Sequence, residues 1–232
     1  LKTGANRISR ESNYRRIAIK SNLVDRDQGS FVKEAMKRVK DEVELPAGYR
    51  LVWSGEFENQ QRAMQRLYVI VPISLLLIFA LLFWAFKSAA QALLVMLTVP
   101  FAIAGGILLL WLLGVNLSIS AAVGFIVLFG IAVQNGVVMM EYINYLRASG
   151  EEALLAIQEG AKARLRPILM TALMAILGLL PAAVSNGVGA EATRPFALAI
   201  IGGLVTATLA TLILLPVIYW LWLGRQTVQK AA

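Results

Sequence analysis

The 232-residue chain contains no cysteine and no histidine. Those two absences exclude a disulfide framework, a thiolate nucleophile, a haem ligand and a zinc site of the usual kind. Most metalloenzyme and nucleophilic-triad readings end there. No nucleophile with its base remains, so an enzyme is the weakest reading, and neither a cofactor nor a metal site is implied. Charge is also scarce: 16% of residues are charged and 58% are hydrophobic, against about 25% charged in an average soluble domain. Lipid explains that shift better than a large soluble core does.

What the chain does have is long apolar runs. Residues 67–86 carry no charge between Arg66 and Lys87. At about 1.5 Å of rise per residue such a run spans the roughly 30 Å of a bilayer's hydrocarbon core. Four more follow, at 90–113, 118–140, 168–184 and 196–223. Five spans put the two ends of the chain on opposite sides of a lipid bilayer. The link at 114–117 is uncharged. The link at 141–167 is long and charged, and is expected to hold an amphipathic helix at 151–164 lying along the membrane surface. Ala153, Leu154, Ile157 and Ala161 would form its apolar stripe.

The first 62 residues read differently. Of the 22 Lys and Arg, 14 precede Leu67, and the net charge is +8. Interleaved Asp25, Asp27, Glu34, Asp41, Glu42 and Glu44 make this an ordinary solvated face rather than a nucleic-acid surface. Residues 16–20 alternate polar and apolar, with Ile17 and Ile19 on one face, as a half-buried strand does. A helix capped by Asp27 or Ser30 follows, with Phe31, Val32, Ala35, Met36, Val39 and Val43 on one stripe. Leu45-Pro46-Ala47-Gly48 stops it, residues 49–53 read as a second strand, and 56–66 as a helical stem running into the first span. A strand-helix-strand unit is too small to bury a core alone, so a fragment of a larger α/β sandwich is expected. No apolar signal region follows Leu1, and the chain reads as the tail of something longer.

Lys87, Arg147, Lys162, Arg164, Arg166, Arg225 and Lys230 fall on one side of the spans, and Arg50, Arg62, Arg66 and Arg194 on the other. The positive-inside tendency then places the first side in the cytoplasm and the residues before Leu67 outside it. Tyr219, Trp220 and Trp222 form a candidate interfacial belt.

Polar residues inside spans are functional candidates. Gln134 and Asn135 are the strongest pair. They either line a water path and contact an ionisable group, or join helices, with Gly130 and Gly136 allowing close approach. Glu141, near the end of that span, reads as a cytoplasmic-end carboxylate that snorkels to the interface. Thr171, Thr206, Thr208 and Thr211 are expected to bond back to their own helices. Pro100, Pro181 and Pro216 should kink or end theirs. Met139, Met140, Met170 and Met174 are soft donors whose ordinary use is packing rather than Cu(I) ligation.

Several runs carry a resemblance: Asp25-Arg26-Asp27-Gln28-Gly29-Ser30-Phe31-Val32, Leu45-Pro46-Ala47-Gly48-Tyr49, Trp53-Ser54-Gly55-Glu56-Phe57-Glu58-Asn59-Gln60, residues 130–136, and Arg164-Leu165-Arg166-Pro167-Ile168-Leu169-Met170-Thr171. Together they resemble the carboxy-terminal part of a resistance-nodulation-division (RND) transporter, and the first three runs resemble its heavy-metal efflux branch. The resemblance implies a membrane α-helical fold with five transmembrane helices after a partial α/β, ferredoxin-like periplasmic porter subdomain. On that reading residues 1–62 end the porter subdomain, 63–223 form the membrane domain, 141–167 the cytoplasmic loop and 224–232 a cytoplasmic tail. It further implies a proton antiporter of the bacterial inner membrane, working as a homotrimer with a periplasmic adaptor and an outer-membrane channel. A multidrug exporter and a non-transporting fragment or scaffold are the alternatives. The family's relay acids sit on a span outside these residues. Their lysine partner in multidrug relatives aligns with Gln134, which cannot titrate, so Gln134, Asn135 and Thr171 are implied as supporting groups for proton relay.

Overall fold

The computed structural model describes residues 9–11, 14–20, 28–53, 56–185, 187 and 189–231. Two compact units emerge, Leu1–Glu58 and Asn59–Ala232.

In the first unit, β1 (Ser9–Glu11) and β2 (Tyr14–Arg16) pair antiparallel, with Arg10 opposite Arg15. Helix α1 (Gln28–Glu42) follows, then a turn closed by Tyr49 N–H donating to the Pro46 carbonyl (3.0 Å), with Gly48 at φ +91°. Three expectations are corrected. The strand at 16–20 does not form: pairing stops at Arg16, and Ile17 and Ile19 are more than nine-tenths exposed. Residues 49–53 are likewise unpaired, with Tyr49 and Val52 exposed. A strand is held by a neighbour's backbone and a face to bury, and neither run has them among the described residues. The expected ferredoxin-like subdomain is not seen: among the described residues of this unit the regular elements are this hairpin and helix. Ser30 lies inside α1 and so is not its cap, and Asp27 lies outside the described residues.

The second unit is helical. Helix α2 (Glu56–Phe86) continues through Pro72. It turns at Lys87, in the left-handed region at φ +50°, into α3 (Ala89–Met96), whose Ser88 cap accepts from Gln91 N–H. Helix α4 (Thr98–Leu112) follows after a break at Leu97. Pro100 offers no N–H to the Met96 carbonyl, which explains a break there. Helix α5 (Ile119–Ala148) is capped by Ser118 Oγ accepting from Ala121 N–H (3.2 Å). Helix α6 (Ala153–Val184) and α7 (Ala190–Leu209) come next, then a π turn (Ala210–Leu214) and α8 (Leu215–Ala231). Among the described residues, five stretches are long and apolar enough to cross a membrane: Arg62–Phe86, Ala89–Leu112, Ile119–Ala148, Ala153–Val184 and Ala192–Leu223.

The expected surface helix is also corrected. Residues 141–148 extend α5, and 153–167 are the first half of α6, leaving only a short turn at Ser149-Gly150. The reason is packing: Ile143 and Ile157 are buried, and a Cβ added to Gly160 would meet Ile143. The apolar stripe of the supposed loop therefore builds core between two antiparallel helices. Pro167 removes one N–H from α6 without ending it.

The core lies where α7 packs on α4, α5 and α6. Helices α4 and α7 run antiparallel at very close range. A Cβ on Gly202 would come within 2.6 Å of the Gly105 carbonyl, and one on Gly203 within 2.6 Å of the Ala102 carbonyl. Thr206 Oγ1 crosses this seam to donate to the Phe101 carbonyl (2.8 Å).

Candidate functional site

Helix α5 positions the candidate residues. Consecutive residues are about 100° apart around a helix, so Gln134 and Asn135 face different sides. Asn135 is 8% exposed and shares its helix face with the buried Ala132 and Met139, three residues before it and four after it. Gln134 is exposed, on a stripe with Val127, Gly130, Glu141 and Tyr145 at three-, four- and seven-residue spacing. The two amides therefore do not share one wall. Gln134 and Glu141 do share an outer face, two turns apart.

Gly130 meets nothing within 4 Å, whereas a Cβ on Gly136 would lie 2.9 Å from Val95. Only Gly136 permits a close approach. Thr171 is exposed and donates to the Ile168 carbonyl of its own helix (3.0 Å), so its hydroxyl is satisfied within α6 rather than by Asn135. Thr206 also bonds back, to Gly202 and Gly203. Thr208 and Thr211 depart from the expectation: both are buried and their hydroxyls have no partner. Met139 and Met140 are fully buried, while Met170 and Met174 face outward on α6.

The best-connected polar cluster went unnoticed in the sequence. Gln91 on α3 and Asn144 on α5 exchange amide hydrogen bonds, Gln91 Nε2 to Asn144 Oδ1 (3.1 Å) and Asn144 Nδ2 to Gln91 Oε1 (3.0 Å). Tyr219 on α8 completes it. Its phenol oxygen accepts from Gln91 Nε2 (3.2 Å) and Arg147 Nη1 (2.6 Å) and donates to Asn144 Oδ1 (3.3 Å). Tyr219 is fully buried and stacks on Trp222, so it is not part of an interfacial belt; Trp220, half exposed, remains available for that role. The signal was a glutamine at the start of a span and an asparagine nine residues after Asn135, hidden by reading 141–167 as a loop. Between α5 and α6, Arg164 lies over the Tyr142 ring, 4.6 Å from its centre.

These positions can be set beside known proteins. The family described as AcrB/AcrD/AcrF matches residues 1–222. The cobalt-zinc-cadmium resistance protein CzcA of Cupriavidus metallidurans is 51% identical over 216 residues, which are 93% of this chain and 20% of that protein. The cation efflux system protein CusA of Escherichia coli K12 is 39% identical over 218 residues, covering 89% of this chain and 21% of CusA. A crystal structure of a heavy metal efflux pump aligns with a TM-score of 0.76 at 45% identity, over 92% of this chain and 22% of that one. The chain thus spans about one fifth of the length of these relatives.

Proposed function

The chain belongs to the AcrB/AcrD/AcrF family, and from that premise we propose that it is the carboxy-terminal part of a proton-driven inner-membrane pump exporting heavy-metal cations. The observation that carries this is the 51% identity to a cobalt-zinc-cadmium resistance protein across nearly the whole chain. The five membrane-crossing helices support a multi-pass protein. On this reading the residues before Leu67 are periplasmic, the C-terminus is cytoplasmic, and the working unit is a trimer joined to a periplasmic adaptor and an outer-membrane channel.

Proton coupling would use carboxylates from the rest of the pump. Within a bilayer, protonating such a group changes its solvation by several kcal/mol, enough to shift conformer populations. The outer face of α5 carries what this chain offers them. Gln134 supplies an amide that donates and accepts without titrating, and Glu141 a carboxylate two turns nearer the cytoplasm. Asn135 and Thr171 support that face from behind and from α6 respectively.

The test is to express the complete reading frame in an efflux-deficient bacterium. Restored growth in zinc, cobalt, nickel or copper is expected. Restored growth in dyes and detergents instead would establish a multidrug exporter, and no rescue by a full-length, membrane-inserted protein would establish a non-transporting scaffold. In vesicles holding the same protein, Gln134→Leu should slow metal uptake driven by a pH gradient by roughly tenfold, as expected for loss of an intramembrane polar contact of about 1.4 kcal/mol. Unchanged uptake would remove Gln134 from the mechanism.

A further inference from the structure

Among the described residues, three buried polar atoms on α5 and the last span are without a hydrogen-bond partner: Asn135 Nδ2, Thr208 Oγ1 and Thr211 Oγ1. Their residues are 8%, 5% and 0% exposed. A buried threonine in a helix normally donates to a carbonyl one turn back, as Thr98, 1% exposed, does to Val95 (2.7 Å). Thr208 and Thr211 do not.

Thr211 has a second unmet need. It lies in the π turn, where Leu215 N–H bonds to the Ala210 carbonyl five residues earlier. The next residue, Pro216, has no N–H to give. The helix therefore passes over the Thr211 carbonyl. Single π turns inside α-helices concentrate at functional sites.

The two helices bring Asn135 to this level. They run in the same direction: a Cβ on Gly203 would strike Leu128, one on Gly136 would contact Leu215 at 3.6 Å, and Asn144 bonds Tyr219. Asn135 thus lies alongside the 203–215 segment, near the end that holds Thr211. Residues 203, 207, 211, 215 and 219 recur every four along the last span, and 203, 215 and 219 of these meet α5.

An unpaired amide donor, an unpaired hydroxyl and a carbonyl to which its own helix supplies no donor, all on buried residues, are the partners that an internal water requires, two to four in number and of both kinds. We infer that an ordered internal water is built into this seam, accepting from Asn135 Nδ2 and the Thr211 hydroxyl and donating to the Thr211 carbonyl. Thr208, one turn earlier, extends the same polar strip. Between this level and the Tyr219 cluster, Met139, Met140 and Ile143 on α5 and Leu215 on the last span are all buried and apolar. The water is therefore a held part of the helix pair rather than bulk solvent reaching inward. The site depends on this chain alone, so it stands or falls separately from the transport reading.

The experiment is water-to-amide magnetisation transfer by solid-state NMR on the 232-residue chain in lipid bilayers, with asparagine side chains labelled. The Asn135 resonance is identified by its loss in Asn135→Leu. Transfer from water to the Asn135 amide is expected in the unmodified chain. It should fall at least threefold in Thr211→Val, which keeps the side-chain shape, and should also fall in Pro216→Ala, which supplies a competing N–H. No transfer in the unmodified chain overturns the inference, whatever the variants do. Transfer undiminished in the folded variants overturns it as well.

Discussion

Replacing Gly202 by alanine tests whether the α4–α7 seam holds the membrane unit together. The added Cβ would sit 2.6 Å from the Gly105 carbonyl oxygen and 2.6 Å from Leu109 Cβ. Neither atom can swing aside, because one is backbone and the other is fixed to it. Restoring ordinary contact near 3.4 Å requires the helices to part by about 1 Å, which forfeits a quarter or more of each dispersion contact along the seam. It also stretches the Thr206–Phe101 bond, now 2.8 Å. Overpacking of this kind costs about 1–3 kcal/mol, partly offset by the helix propensity that alanine gains over glycine, about 1 kcal/mol. The net expectation is a loss of about 0–2 kcal/mol, which is about 1–3 kcal/mol below a control that gains the same propensity term without the clash. Gly130→Ala and Gly178→Ala are the controls, since both lie within helices with nothing inside 4 Å. They should be neutral or gain up to about 1 kcal/mol. Equilibrium unfolding of the chain in mixed micelles, followed by helical circular dichroism, measures all three. If Gly202→Ala unfolds together with the controls, the close-packed seam is not what stabilises this unit.

Two more perturbations separate strain from bonding. Lys87→Gly relieves a left-handed residue at the α2–α3 turn and should raise stability by about 1 kcal/mol in the same assay, with no loss of helicity. Tyr219→Phe strips the oxygen that Gln91, Arg147 and Asn144 share, and should cost about 1–3 kcal/mol. Trp220→Phe, on the same helix but half exposed, should stay within about 0.5 kcal/mol.

Apolar length was enough to reveal five membrane-crossing segments, because a span is a one-dimensional property: some twenty residues with no charge. Turn chemistry was equally local, and Pro46-Ala47-Gly48 turns where its composition says it must. Interruptions by proline were legible as positions but not as outcomes. Pro167 is absorbed into α6, Pro100 follows a break, and Pro216 comes with a π turn. Which outcome arises depends on the neighbours that take up the freed carbonyl, and those come from other helices.

The sequence by itself determined the class of the molecule: a multi-pass helical membrane protein with polar groups in its third and fifth spans, and with runs that resemble the RND transporters. Charge, length and residue chemistry carry that information without reference to distance. Tertiary structure decided which way each polar group faces. It turned Gln134 outward and Asn135 inward, moved Tyr219 from the interface into a three-helix cluster, and made core from residues that read as a surface loop. The physical reason is that burial and hydrogen bonding are set by what lies across the gap, and between Gly105 and Gly202, Asn144 and Tyr219, or Gly160 and Ile143 the facing residue is distant in the chain.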